Sequence, residues 1–155
     1  MIQVFCDGSC RKNGRLGAMG GWAFAIVDAD SNSIIMSTSG ATENTTNNRM
    51  ELTAFIKAAQ YVKEHDIGAV TYFIDSAYVV NAFKENWLNN WISNGWRNSK
   101  KEEIKNKDLW LELIEALEEE FYQIEKIKGH QKNGNYNDYV DKLAVKASTW
   151  LMEKK

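Results

Sequence analysis

Three strand-like runs precede the first helical periodicity in this chain, and from there helix and strand signals alternate. Ile2-Gln3-Val4-Phe5-Cys6 leads into Asp7, and Trp22-Ala23-Phe24-Ala25-Ile26-Val27 and Ser33-Ile34-Ile35-Met36-Ser37 follow. The stretch Asp28-Ala29-Asp30-Ser31-Asn32 reads as the turn of a hairpin, so the first three strands predict an antiparallel meander. A Gly-rich connection spans Gly8 to Gly21. Apolar spacing then predicts a helix over about 48–64, a strand at 70–75, short helical pieces within 76–94 and a helix over about 107–120. A last strand at 122–128 and a helix over about 138–153 complete the pattern. Meander first and alternation second predict an α/β fold. Its sheet is mixed and five-stranded, three strands antiparallel and then two parallel, with helices on both faces.

At 155 residues the chain is expected to form one domain, 1–155. Its 44% hydrophobic and 26% charged residues are those of an ordinary soluble globular protein. No apolar run approaches the roughly 20 residues that span a bilayer. The N-terminus lacks a basic stretch leading into an apolar core, so no signal peptide and a cytoplasmic location are expected. Two cysteines, Cys6 and Cys10, do not make a disulfide framework or a zinc site, and Cys6 is expected to be packed. The net charge of −2 argues against a protein that coats nucleic acid with its whole surface. Charge is uneven, however. Lys84, Arg97, Lys100, Lys101, Lys105 and Lys107 stand against three acids in 84–107, whereas 108–125 holds seven acids and no base. A local basic patch suits a narrow, oriented contact with a polyanion.

Four acids stand where apolar elements end or turn toward a core: Asp7, Glu51, Asp75 and Asp141. Each also has a local explanation. Asp7-Gly8 is a common turn pair, and Asn48 with Glu51 resembles a capping box. Asp75 precedes Ser76 where a cap is wanted, and Asp141 follows Asp138 where a helix dipole favours acids. Side-chain direction weakens these explanations. Glu51 shares a helical stripe with Phe55, Ala58 and Val62, and Asp141 shares one with Ala144, Val145, Ser148 and Met152. Unpaired buried carboxylates cost several kcal/mol each, so such a cluster needs protons or cations. A pair of divalent metal ions answers that need and points to phosphoryl-transfer chemistry.

The same residues carry a family resemblance. Asp7-Gly8-Ser9-Cys10, Thr45-Thr46-Asn47-Asn48-Arg49-Met50-Glu51-Leu52, Asp75-Ser76-Ala77-Tyr78-Val79, Lys128-Gly129-His130 and Asn137-Asp138-Tyr139-Val140-Asp141 resemble the motifs of type 1 ribonucleases H. Their order and spacing match over nearly the whole chain; Asn47–Leu52 is the most specific piece. The resemblance implies a ribonuclease H-like fold and an endonuclease that cuts the RNA strand of RNA–DNA hybrids with two Mg²⁺ ions, Mn²⁺ being able to substitute. It implies that Asp7 bridges both metals and that Glu51, Asp75 and Asp141 complete their ligands. One ion would activate water and the other would stabilise the leaving 3′ oxygen, giving 5′-phosphate and 3′-hydroxyl ends.

It further implies that His130 shuttles a proton or aids product release. Asn47 and Asn48 would read the minor groove of the hybrid, where the 2′-hydroxyl marks the RNA strand. Asn13 and Thr46 would hold a DNA-strand phosphate. The segment 84–107 would be a basic, Trp-rich protrusion gripping the DNA strand through Arg97, Lys100 and Lys101. Trp87 is a candidate sugar contact there, whereas Trp91 and Trp96 are expected to pack. Ala77 departs from the family's usual glutamine, which removes one hydrogen bond to the hybrid. The loop after His130 is about one residue longer than in the familiar bacterial form and lacks its proline. With no extra N-terminal hybrid-binding module, a compact, distributive monomer without an obligate protein partner is expected. The competing readings are a DNA-acting nuclease or resolvase of the same fold and a catalytically silent hybrid-binding module.

Overall fold

The computed structural model describes residues 1–11, 13, 17–127 and 136–154. Five strands, β1 (Ile2–Arg11), β2 (Met19–Asp28), β3 (Ser33–Glu43), β4 (Val70–Ile74) and β5 (Tyr122–Lys126), form one sheet in the order β3-β2-β1-β4-β5. Pairing is antiparallel from β3 to β1 and parallel from β1 to β5, the mixed sheet that the order of periodicities predicts. The helices among the described residues are α1 (Asn47–Glu64), α2 (Ala77–Lys84), α3 (Trp87–Ser93), α4 (Lys107–Leu117) and α5 (Asn137–Glu153).

Strand alternation divides the core between two layers. Val4, Cys6, Phe24 and Ile26 point into the larger cluster, where α1 supplies Leu52, Phe55, Ala58 and Val62, and α4 supplies Trp110 and Leu113. Phe5, Ala23, Ala25 and Val27 point the other way and meet Val140 and Ala144 of α5. The helices therefore cover both faces, and the stripe that carries Glu51 faces the sheet as its spacing requires.

The first three strands are longer than their local signals. The connection expected over Gly8 to Gly21 contracts, because β1 continues to Arg11 opposite Met19 and β2 includes Gly20 and Gly21. Helix packing explains why glycine stands in these strands. A Cβ on Gly8 would lie 2.5 Å from the Glu51 amide nitrogen and 2.7 Å from the Met50 carbonyl oxygen. A Cβ on Gly21 would collide with the Ala144 carbonyl oxygen and lie 2.9 Å from the Ser148 amide nitrogen. α1 and α5 thus sit directly on the strand backbones, and only glycine leaves room.

Between α2 and α4 the chain makes α3 and an irregular excursion pinned by a bridge between Arg97 and Glu103. Trp91 meets Trp110 edge-on at 5.4 Å between ring centres and touches Trp96 at 6.1 Å, so both pack as expected. None of the described helices is long and apolar enough to cross a membrane.

Candidate active site

Asp7 corrects one detail of the sequence reading: it lies within β1 rather than at its end, paired with Ala23 of β2. On the opposite edge β4 stops at Ile74, opposite Cys6, so Asp7 is the first residue of β1 beyond its parallel neighbour. It is 6% exposed. Glu51 comes to it because α1 rests on Gly8, whose amide donates to Glu51 Oε1 at 3.0 Å. The capping-box explanation of Glu51 fails here. Thr46 is the N-cap, its hydroxyl accepting from the Arg49 amide at 3.2 Å, and Glu51 turns inward instead. Asp141 arrives from the opposite face on α5, and both Glu51 and Asp141 stand close enough to the Asp7 carboxyl to raise its pKa.

Carboxylates offer one another only acceptors, so these contacts require a proton or a cation. Burial first, and then the neighbouring charge of Glu51, pushes the Asp7 carboxyl up to about 10. Burial also raises Glu51, to about 7, against the lowering effect of its hydrogen bonds with Asp7 and the Gly8 amide. The pair therefore holds a proton at neutral pH. Even so, Glu51 Oε2 is buried with no hydrogen-bond partner. Cys6, behind them, is pushed well above the usual thiol range by burial and then by Glu51 and Asp7, so it stays a protonated packing residue.

Asp75 follows β4 and is more open, its side chain 52% exposed. Ser76 caps α2 by accepting from the Val79 amide at 3.3 Å, so Asp75 is not needed as a cap. Its Oδ1 stands 3.9 Å from Lys126 Nζ. Among the described residues, no three acidic, histidine or cysteine side chains are drawn close enough as they stand to hold one ion. The donor set nevertheless fits a hard divalent cation: it is all carboxylate oxygen, and one buried oxygen lacks a donor.

The predicted nucleic-acid contacts divide between the start of α1 and the segment from α3 onward. Asn47 and Asn48 are exposed at the start of α1, and Asn13 Oδ1 accepts from the Asn47 amide at 2.8 Å. Asn13 and Thr46 therefore both brace the first turn of α1. Trp87 is 37% exposed, and Arg97, Lys100 and Lys101 are exposed on the excursion after α3. His130, with the rest of Lys128-Gly129-His130, lies outside the described residues.

Two groups escaped the sequence reading. Lys126 is one; only the β4–β5 register, in which it pairs with Ile74, brings it to Asp75. The other is a network behind the site. Arg49 donates to Asp108 at 2.7 and 3.0 Å and to Asn106 at 3.3 Å, while Asn106 and the Trp110 indole both donate to the Tyr78 hydroxyl, at 3.2 and 3.0 Å. Arg49 and Tyr78 stand within the quoted motifs, so their position was a signal, but their partner segment was not.

A family model described as RNase H matches residues 1–149. A Ribonuclease H of Caldicellulosiruptor saccharolyticus is 41% identical over 143 residues, 92% of each chain. Among solved structures, LC9-RNase H1, a type 1 RNase H with the type 2 active-site motif, aligns with a TM-score of 0.80 at 28% identity, covering 96% of this chain and 72% of its own. LC11-RNase H1, solved in complex with an RNA/DNA hybrid, shares the fold with a TM-score of 0.72 at 18% identity, over 98% of this chain and 99% of that one.

Proposed function

This chain belongs to the ribonuclease H family, hydrolases acting on the RNA strand of RNA–DNA hybrids, and we propose that it cuts that strand with two divalent cations held by Asp7, Glu51, Asp75 and Asp141. The observation that carries this reading is the approach of Glu51 and Asp141 to the buried Asp7 carboxyl, with the buried Glu51 Oε2 left without a donor. Such a cluster is stable only if a proton or a cation enters it. Cations bound there would neutralise charge at the scissile phosphate and raise the acidity of attacking water. Mg²⁺ suits these oxygen donors, with Mn²⁺ able to replace it.

The chain's own residues do the rest. Asp7, rigid in β1, supplies the central carboxylate. Glu51 is aimed by the Gly8 amide, which holds Oε1 and leaves Oε2 for the site. Asp75 brings a half-exposed carboxylate from the end of β4, and Asp141 closes the group from α5. Asn47 and Asn48 read the hybrid's minor groove, while Asn13 and Thr46 present polar groups to a DNA-strand phosphate. Trp87, Arg97, Lys100 and Lys101 grip the DNA strand, giving attraction without base specificity. His130 moves a proton at the departing product. The products carry 5′-phosphate and 3′-hydroxyl ends, and the enzyme works in the cytoplasm as a monomer.

The test uses a strand-labelled hybrid with and without Mg²⁺, beside duplex DNA and duplex RNA. Metal-dependent cutting of the hybrid's RNA strand alone, leaving 5′ ends that a phosphatase can strip, is the expected result. Hybrid binding without cutting in Mg²⁺ or Mn²⁺ would establish the silent module instead. Cutting of duplex DNA would establish the DNA-acting enzyme.

A further inference from the structure

Lys126 ends β5 opposite Ile74, so its side chain emerges beside the residue that follows β4. Its ammonium donates to the Asp75 carbonyl oxygen at 3.1 Å and stands 3.9 Å from Asp75 Oδ1. The first contact is a hydrogen bond. The second is too long for one, and it joins two half-exposed groups, 47% and 52% accessible. The main chain of Asp75 therefore anchors the ammonium, and its carboxylate only leans on it.

We propose that Lys126 is a positioning residue of the cleavage site: a resident monovalent cation at Asp75 with which divalent cations compete. The inference rests on the functional reading above. The carbonyl bond keeps the ammonium in place when the Asp75 carboxylate turns toward Asp7, and the loose ion pair lets that carboxylate leave at little cost. A fixed positive charge then remains beside whatever cation Asp75 helps to hold. Like charges repel, so Lys126 holds down cation affinity in the hybrid-free protein. A hybrid phosphate at the site offsets that charge, so cations load most readily together with substrate. Lys126 thereby couples the two binding events.

Calorimetric titration of Mg²⁺, and of Ca²⁺ as a second probe, into hybrid-free wild type, Lys126→Met and Lys126→Arg tests this. Methionine keeps the apolar stem and removes the charge, while arginine restores it. Lys126→Met should bind either cation roughly 1.4- to 5-fold more tightly, the range of a screened surface pair. Lys126→Arg should return to the wild-type affinity, and the Mg²⁺ concentration for half-maximal cleavage should fall only in the methionine variant. An unchanged or weaker affinity in Lys126→Met, with its melting curve intact, overturns the proposal. A wild-type affinity that Asp7→Asn fails to reduce overturns the site assignment itself, and this inference with it.

Discussion

Replacing Asp7 by Asn should make the cation-free protein more stable while abolishing cleavage. In wild type, burial and Glu51 hold the Asp7 carboxyl at about 10 against an ordinary 3.8. A folded-state value above the unfolded one means that stability is complete below about pH 4 and declines as pH rises toward 10, because the unfolded chain releases its proton first. The slope for one such group is about 1.4 kcal/mol per pH unit. Over the roughly four units to pH 8 that slope sets an upper bound of about 6 kcal/mol; because the proton is shared with Glu51, whose charge the variant keeps, we take the recoverable part as on the order of 2 kcal/mol. Asparagine removes the charge and offers an N–H to the Glu51 Oε2 that now lacks a donor. A gain of about 2 kcal/mol corresponds to a melting point about 4–8 °C higher for a chain of this size. The assay is a series of thermal melts in chelator from pH 5 to 9, repeated with Mg²⁺. The variant should gain over wild type with rising pH, and Mg²⁺ should stabilise wild type much more than the variant. A variant that melts below wild type at pH 8 in chelator, or whose advantage is independent of pH, would falsify this account of the cluster.

Gly8→Ala inserts a methyl against the Met50–Glu51 backbone, where no side chain can yield. It should destabilise by about 1–3 kcal/mol and, by shifting Glu51, lower kcat by about 10²-fold; wild-type denaturation and turnover would show that α1 does not rest there. Neutralising Lys100 and Lys101 to Gln, measured in the Asp7→Asn background to prevent cutting, should weaken hybrid binding and flatten its salt dependence by about 1.8 in the log–log slope if each contacts one phosphate. An unchanged slope removes both lysines from the interface. Tyr78→Phe leaves the Asn106 amide and the Trp110 indole without their acceptor and should cost about 1–3 kcal/mol in denaturant unfolding, whereas a neutral effect would mean that water replaces the hydroxyl.

The fold was legible where local and tertiary demands agree. α1 and β4 fall where their periodicity puts them, since the buried stripe of α1 and the alternation of β4 record the same sheet from two sides. Agreement fails at Gly8 and at Gly20-Gly21. Read locally, glycine argues for a loop; the strands persist because α1 and α5 lie on their backbones and exclude side chains. Packing against a distant helix is not written in a strand's own neighbours. Lys126 was hidden for the same reason, because its proximity to Asp75 depends on a parallel register set by strands about fifty residues apart.

The four acids were ambiguous one by one because each sits where secondary structure could use it. The structure resolves the ambiguity by giving each local task to a neighbour. Thr46 caps α1, so Glu51 is released to accept from the Gly8 amide. Ser76 caps α2, which leaves the Asp75 carboxylate to lean on Lys126. Asp138 is the acid in the first turn of α5, and Asp141 reaches Asp7 from the next turn. No turn follows Asp7, since β1 continues past it to Arg11. Acids that stabilised their own helix ends would have satisfied carboxylates and a lower energy without cations. Here the satisfied groups are hydroxyls and main-chain amides, and the unsatisfied charge is concentrated where β1 outruns β4. That displacement of local stabilisation onto neighbouring residues supports the proposal that the cluster is completed by cations.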